Sequence, residues 1–95
     1  PNATLTNKNN IYNYDSIINN GMLNIKQSSD GGVLFNYNIL KNNSGATINN
    51  YDSLVNMENG ASSPYVVSGQ VGTLSNTGTI TNYSGIFENK GNFTN

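Results

Sequence analysis

The amino-acid sequence predicts an all-β protein, a parallel β-solenoid (β-helix) built from hexad-like repeats of one short strand and one corner. Three observations support this prediction. Aliphatic residues recur six positions apart, Asn stands two positions after most of them, and Ser, Gly or Thr closes many repeats. A helix is excluded because residues six apart lie about 600° around an α-helix, where they form no apolar stripe.

The repeats keep their phase in three blocks of the chain. Leu5 opens the first repeat, "LTNKNN", whereas "LSNTGT" from Leu74 and "ITNYSG" from Ile80 belong to the last block. Like side chains stacked in successive turns would form a narrow, continuous core. We predict a buried core ladder of Leu5, Ile11, Ile17, Leu23, Leu34, Leu40, Ile48, Leu54, Leu74, Ile80 and Ile86.

The Asn residues follow from side-chain alternation. In a strand, residues i and i+2 face the same side, so each aliphatic residue and the Asn two places later both point inward. Asn and Gly also suit the corners, since they tolerate left-handed backbone. Tyr14, Tyr51 and Tyr83 are expected at equivalent corners and partly exposed. We predict an inward Asn ladder of Asn7, Asn13, Asn19, Asn36, Asn42, Asn56, Asn76 and Asn82.

Short strands must stack to pair their backbone groups. With three hexads to a turn, a rung would hold about 18 residues and the chain about five rungs at a spacing of about 4.8 Å. The period leaves the handedness of the coil undetermined. The competing interpretation is a disordered polar tract, because hydrophobic residues make up only 35% of the chain. Disorder normally also needs high net charge, and the net charge here is −1.

We treat residues 1–95 as a single domain with irregular loops near 26–33 and 60–73. The second loop drops the Asn bias and is rich in Val. An apolar flap or a subunit contact is favoured there over a ligand site, although loops on rigid scaffolds often bind ligands. The candidate subunit contacts are Tyr65, Val66, Val67 and, near the carboxyl end, Phe93.

Composition argues against several functions. Four Lys without a basic cluster make nucleic acid an improbable partner, and no apolar run approaches the roughly 20 residues that membrane insertion needs. The chain contains no His and no Cys, so we expect no metal and no cofactor. The scattered carboxylates do not suggest paired acid and base groups, and Asp15 and Asp52 share a corner position. We therefore expect no catalytic residues and no enzymatic activity.

Glycosylation sequons occur at a frequency that an Asn-rich chain produces by chance. Modification requires an outward-facing Asn, and Asn82 is expected to point inward. The candidate glycosylation sites are Asn2, Asn42 and Asn92.

The segments "TLSNTG", "TITNYSG" and "GIFENKGNFTN" resemble the "GTI-x-N-x-G" repeats of surface-exposed β-solenoids. That group includes autotransporter and haemagglutinin-like passengers of bacteria and adhesin-like proteins of archaea. The resemblance implies an extracellular or cell-surface location. It also implies that surface glycans are possible partners of an adhesin-type module. The hexapeptide acyltransferase pattern differs, since it favours small residues where this chain has Asn.

Two classes of function remain open. The first is a structural subunit of an extracellular fibre or cell-surface filament, a homopolymer whose partner is the chain itself. It would assemble head to tail, because neither end of the repeat array shows a polar cap. The alternative is that the chain is a slice of a longer solenoid, and we favour the filament over it. The second class is an adhesin-type binding module. Less expected is an ice-binding face using "TLT" from Thr4 and "TIT" from Thr79.

Overall fold

A computed structural model describes residues 3–26, 32–58, 71–83 and 85–95. These residues form short strands and no helix, which confirms the predicted all-β class. The strands are β1 (Thr4–Asn7), β2 (Ile11–Asn13), β3 (Ser16–Asn19), β4 (Met22–Ile25), β5 (Val33–Asn36), β6 (Ile39–Asn42), β7 (Thr47–Asn50), β8 (Ser53–Asn56), β9 (Thr73–Asn76), β10 (Thr79–Asn82), β11 (Ile86–Asn89) and β12 (Asn92–Thr94).

Every third strand belongs to the same parallel sheet. Sheet A has the order β1-β4-β7-β10, sheet B the order β2-β5-β8-β11, and sheet C the order β3-β6-β9-β12. Three consecutive strands therefore make one turn, and the turns stack as rungs 1 to 4. This arrangement confirms the parallel β-solenoid. The expectation of about five rungs is wrong, because the connections from β4 to β5 and from β8 to β9 are longer than a hexad corner. The predicted loops near 26–33 and 60–73 lie mostly outside the described residues.

The register stacks like side chains on like. In sheet A, Leu23 pairs with Leu5 on one side and Ile48 on the other, and Ile48 pairs with Ile80. Ile11, Ile17, Ile80 and Phe87 pack partly buried against the centre of the core. That buried centre consists of Leu23, Ile25, Leu34, Leu40, Ile48, Leu54 and Leu74.

Two members of the predicted core ladder are exposed. Leu5 is 51% exposed, so the expectation that it is buried is wrong; it lies on rung 1, the first of the described rungs. Ile86 is 62% exposed, and the expectation that it is buried is wrong. It pairs with Ser53 on the outer side of sheet B, whereas Phe87 pairs with Leu54 and takes the core position. The chain between β10 and β11 is one residue longer than that between β7 and β8, which shifts the repeat by one place.

The corners sort the tyrosines into two separate columns. The Tyr51 and Tyr83 rings stack 4.5 Å apart at the corner that follows sheet A. Tyr14 follows sheet B instead and stacks on Tyr37 at 4.9 Å, so its expected equivalence to the other two is wrong. Tyr14 and Tyr51 are partly exposed, and Tyr83 is exposed.

Candidate assembly surface at the two end rungs

Buried Asn side chains form hydrogen-bonded ladders along sheets B and C. In sheet B, Nδ2 of Asn13 donates to Oδ1 of Asn36 at 2.7 Å, and Asn36 donates to Asn56 at 2.8 Å. Asn56 then donates to Asn89 at 2.8 Å. The sheet C ladder has the same direction and runs through Asn19, Asn42, Asn76 and Asn95. Each amide thus donates toward the next rung, and the side-chain dipoles are aligned.

The second amide hydrogen ties each ladder to a corner. Asn13 donates to the carbonyl oxygen of Ile39 at 2.7 Å, the first residue of the following strand one rung later. Asn19 makes the equivalent bond to Thr47 at 2.9 Å. Burying an amide is unfavourable unless its polar atoms are paired. Among the described residues, every buried side-chain nitrogen and oxygen has a partner.

Sheet A interrupts its ladder with an apolar residue. Ile25 stands fully buried between Asn7 and Asn50 in the register. Both neighbours find other partners, since Asn7 donates to the Val33 carbonyl at 3.3 Å and Oδ1 of Asn50 accepts the Asp52 N–H at 3.3 Å. The ladder resumes where Asn50 donates to Asn82 at 2.7 Å.

The ladders contain three residues outside the predicted set. Asn50 occupies the Asn position of "INNYDS" and could have been found from the repeat itself. Asn89 and Asn95 stand two places after Phe87 and Phe93, so they become visible only when Phe is allowed in the aliphatic position.

Rung 1 is the acceptor end of the ladders. With no earlier rung among the described residues, each ladder oxygen there accepts a backbone N–H from its own corner. Asn7 accepts from Asn9 at 3.0 Å, and Asn13 accepts from Asp15 at 3.3 Å. Asn19 makes the same contact with the N–H of Gly21 at 3.2 Å.

Rung 4 is the donor end. Nδ2 of Asn82 turns to the Gly85 carbonyl at 2.9 Å, and Nδ2 of Asn89 turns to the Gly91 carbonyl at 3.0 Å. Both groups are exposed. An added rung with Asn in the ladder positions would offer these amides an oxygen at each place.

Apolar side chains accompany the ladders at both ends. A cavity of about 440 Å³ opens at rung 1, lined in part by Leu5, Ile17, Ile18, Met22 and Leu23. At rung 4, the Phe87 and Phe93 rings meet edge to face with centroids 5.6 Å apart. Phe93 is 42% exposed and covers Leu74 in the register, so one of the predicted contact residues lies on this end surface.

Some of the other predicted contact and modification sites lie within the described residues and some do not. Tyr65, Val66, Val67 and the candidate glycosylation site Asn2 lie outside the described residues.

Asn92 is exposed at the start of β12. Asn42 is fully buried in the sheet C ladder and donates to Asn76 at 2.7 Å, so its prediction as a glycosylation site is wrong. Asn82 points along the ladder as expected but is exposed, because no described rung follows rung 4.

Other chemistry is sparse in the described part of the chain. No group of three or more acidic residues there could hold a metal ion. None of the described segments is a helix long and apolar enough to span a membrane. Asp52 has a corner role, since Oδ2 accepts the Gly32 N–H at 2.7 Å. The Lys90–Glu88 ion pair, at 3.8 Å, is exposed and contributes little stability.

No family model, no curated protein and no solved structure matches this chain. Its function is therefore inferred from the geometry of the end rungs.

Proposed function

We propose that this chain is a structural subunit of an extracellular fibre or cell-surface filament that assembles by head-to-tail stacking of solenoid rungs. The observation that carries the proposal is the complementarity of the two end rungs. Rung 1 presents ladder oxygens at Asn7, Asn13 and Asn19, and rung 4 presents ladder amides, including those of Asn82 and Asn89.

Backbone pairing favours the same contact. The outer edges of β1 to β3 and of β10 to β12 have no strand partner among the described residues. Such edges are templates for another strand. Because rung 1 of one copy would contact rung 4 of another, the interface is heterologous and leaves a free rung at each end. A contact of this kind generates an open filament rather than a closed ring.

Apolar contact adds a driving force. Stacking would place Leu5 on Ile80, Ile11 on Phe87 and Ile17 on Phe93, which continues each column of the core. These side chains are exposed or half-buried in the single copy. Covering them removes apolar surface from water at about 25 cal/mol per Å². The extracellular setting is supported by the resemblance of the repeats to surface β-solenoids, and catalysis is not part of the proposal.

Electron microscopy of the purified chain at micromolar concentration tests the proposal. We expect fibres with an axial repeat near 19 Å, which corresponds to four rungs at about 4.8 Å each. Phe93→Asp should leave a folded, dispersed chain, because a charge would have to be buried at the junction. Ser75→Asp, on the outer face of rung 3, is the matched control and should still form fibres. A dispersed wild-type chain would reject the proposal.

A binding module is the second candidate, and the outer face of sheet A favours it. Thr4 and Thr79 lie in one outer column of this sheet, and Thr6 and Thr81 lie in the other. Met22 interrupts the first column on rung 2, so the Thr pairs are not consecutive. Ice shaping by the purified chain would support this candidate, whereas the absence of thermal hysteresis would remove ice as the ligand.

A further inference from the structure

Head-to-tail stacking alone does not fix how one copy is rotated about the solenoid axis relative to the next. The three sheets present the same kind of ladder residue at each end rung. Each sheet ends rung 1 with an Asn in the ladder position and continues to an Asn on rung 4. The ladders alone would thus accept three orientations related by rotations of about 120°.

The chain climbs from each rung to the next, and this climb distinguishes the orientations. Sheets A, B and C are entered in order, so each end of the stack is a step rather than a flat surface. When each sheet of one copy stacks on the same sheet of the next copy, all three junctions have the normal spacing between paired strands. No other orientation achieves this. Either rotation leaves one sheet displaced by a whole strand spacing, about 4.8 Å.

Charged and aromatic residues at two corners agree with this orientation. The A–B corner column, directly after sheet A, contains Lys8, Lys26, Tyr51 and Tyr83 on rungs 1 to 4. The B–C corner column, directly after sheet B, contains Tyr14, Tyr37, Met57 and Lys90.

Backbone bonds hold these residues in register. Lys26 N–H donates to the Asn7 carbonyl at 2.9 Å, and Tyr83 N–H donates to the Asn50 carbonyl at 2.9 Å. In the other column, Lys90 N–H donates to the Asn56 carbonyl at 2.7 Å.

One lysine–tyrosine contact already exists inside the chain. Nζ of Lys26 lies 5.7 Å from the centroid of the Tyr51 ring, with the lysine on rung 2 and the tyrosine on rung 3. This distance is typical of a cation–π interaction. It shows that a Lys and a Tyr at the same corner of two successive rungs lie close enough to interact.

We propose that two such pairs fix the junction between copies: Lys90 with Tyr14 of the next copy, and Tyr83 with Lys8 of the next copy. This inference rests on the proposed head-to-tail assembly. The Lys90 pair would have the same order along the axis as Lys26 and Tyr51, with the lysine one rung before the tyrosine. The Tyr83 pair would have the reverse order.

The rotated orientations lose these contacts. One rotation places Lys8 on Lys90, and like charges repel. The other places Tyr14 on Tyr83 but sets Asn20 against Lys90. The unrotated orientation is therefore the one that forms both lysine–tyrosine pairs and keeps all three sheets in register.

Cysteine cross-linking tests the orientation. The chain has no Cys, so introduced thiols are the only ones present. Thr6→Cys lies on the outer face of rung 1 and would be combined with Thr81→Cys, Glu88→Cys or Thr94→Cys on rung 4, one for each orientation. Paired strands about 4.8 Å apart lie within the Cα separation of disulfides, about 4.4–6.8 Å. Thr6→Cys alone is the control for head-to-head contact.

We expect a ladder of covalent multimers on a non-reducing gel from the Thr6/Thr81 pair only. Fibres that cross-link through Glu88 or Thr94, or through none of the three pairs, would overturn the inferred orientation and leave the filament intact. A chain that stays dispersed and does not cross-link would overturn both. Lys90→Gln should raise the critical concentration for assembly about two- to five-fold. Lys41→Gln, on an outer face away from both ends, should leave it unchanged.

Discussion

Nδ2 of Asn36 donates a 2.8 Å hydrogen bond to Oδ1 of Asn56 one rung later, and both side chains are fully buried. Asn36 also donates to the Thr73 carbonyl at 3.1 Å and accepts from Asn13 at 2.7 Å. A buried amide with this many partners joins successive rungs and fixes the corner beside it. The solenoid thus combines its thin aliphatic core with a polar interior in which buried side-chain atoms are paired.

Asn36→Leu should destabilise the chain although the side chains are similar in size. Asn56 would lose the donor to its oxygen and Asn13 one of its acceptors, and each buried polar group left unpaired costs about 1–3 kcal/mol. The free energy of unfolding in urea measures the effect. Asn49→Leu is the control, because Asn49 lies half-buried on the outer side of sheet A, where water can replace its hydrogen bond to Oδ1 of Asn24. It should change stability by about 0.5 kcal/mol or less. Equal effects of the two substitutions would contradict a structural role for the ladder.

The sequence predicted the strands well because the alternation of inward and outward positions follows directly from backbone geometry. Leu34, Leu40 and Leu54 lie in the core for this reason. Ile25 was not predictable in the same way, because any apolar side chain of suitable volume fits a ladder position whose neighbours find other partners.

The one-residue shift of the repeat at Ile86 arises in the connection before β11 and not within the strand itself. The Ile86 N–H donates to the Asp52 carbonyl at 2.6 Å, so the backbone bond of the corner, not the side chain, sets the register there. The end surface was predicted only through Phe93. Its donor and acceptor polarity depends on hydrogen bonds that a linear repeat does not specify.

Replacing a core side chain by Ala should lower the free energy of unfolding by an amount that depends on its rung. Leu40 is fully buried in the middle of sheet C, whereas Ile17, its register partner on rung 1, is only partly buried. Leu40→Ala should reduce the free energy of unfolding by about 2–5 kcal/mol. Ile17→Ala should reduce it less, because part of that side chain is already in contact with water. Urea unfolding of the dispersed chain compares the two, and a larger loss at Ile17 would place the centre of the core elsewhere.

Gly78 should not tolerate a side chain. A Cβ there would overlap the carbonyl oxygens of Ala46 and Asn43, which belong to the corner beneath it. Gly78→Ala is therefore expected to lower the thermal unfolding midpoint, since backbone atoms cannot move aside as a flexible side chain does. Gly45 provides the contrast, because a Cβ at Gly45 meets no atom within 4 Å and the residue has φ of 82°. Gly45→Asn should lower the midpoint less than Gly78→Ala does, because Asn tolerates left-handed backbone better than most residues with a side chain. A tolerated Gly78→Ala would show that the corners stack less closely.

The Tyr37 hydroxyl makes stability depend on pH at the alkaline end. Burial raises the pKa of Tyr37 above its ordinary value, and the nearby Tyr14 and Tyr12 raise that pKa further. The folded chain therefore holds the phenolic proton more tightly than the unfolded chain does. This contribution to stability is fully present below about pH 10, the ordinary pKa of tyrosine. It is lost as the pH rises through the higher pKa of the folded state.

The free energy of unfolding should accordingly fall in the wild-type chain as the pH rises above about 10, the ordinary tyrosine pKa. Tyr37→Phe retains the ring that stacks on Tyr14 but has no proton to lose, so its stability should fall less over the same range. Phe35→Leu is the matched control, because it also alters this group of stacked rings but removes no hydroxyl, so its stability should fall with pH as that of the wild type does. Urea unfolding at several pH values measures all three. An identical decline in the wild type and in Tyr37→Phe would show that the alkaline sensitivity arises from other groups.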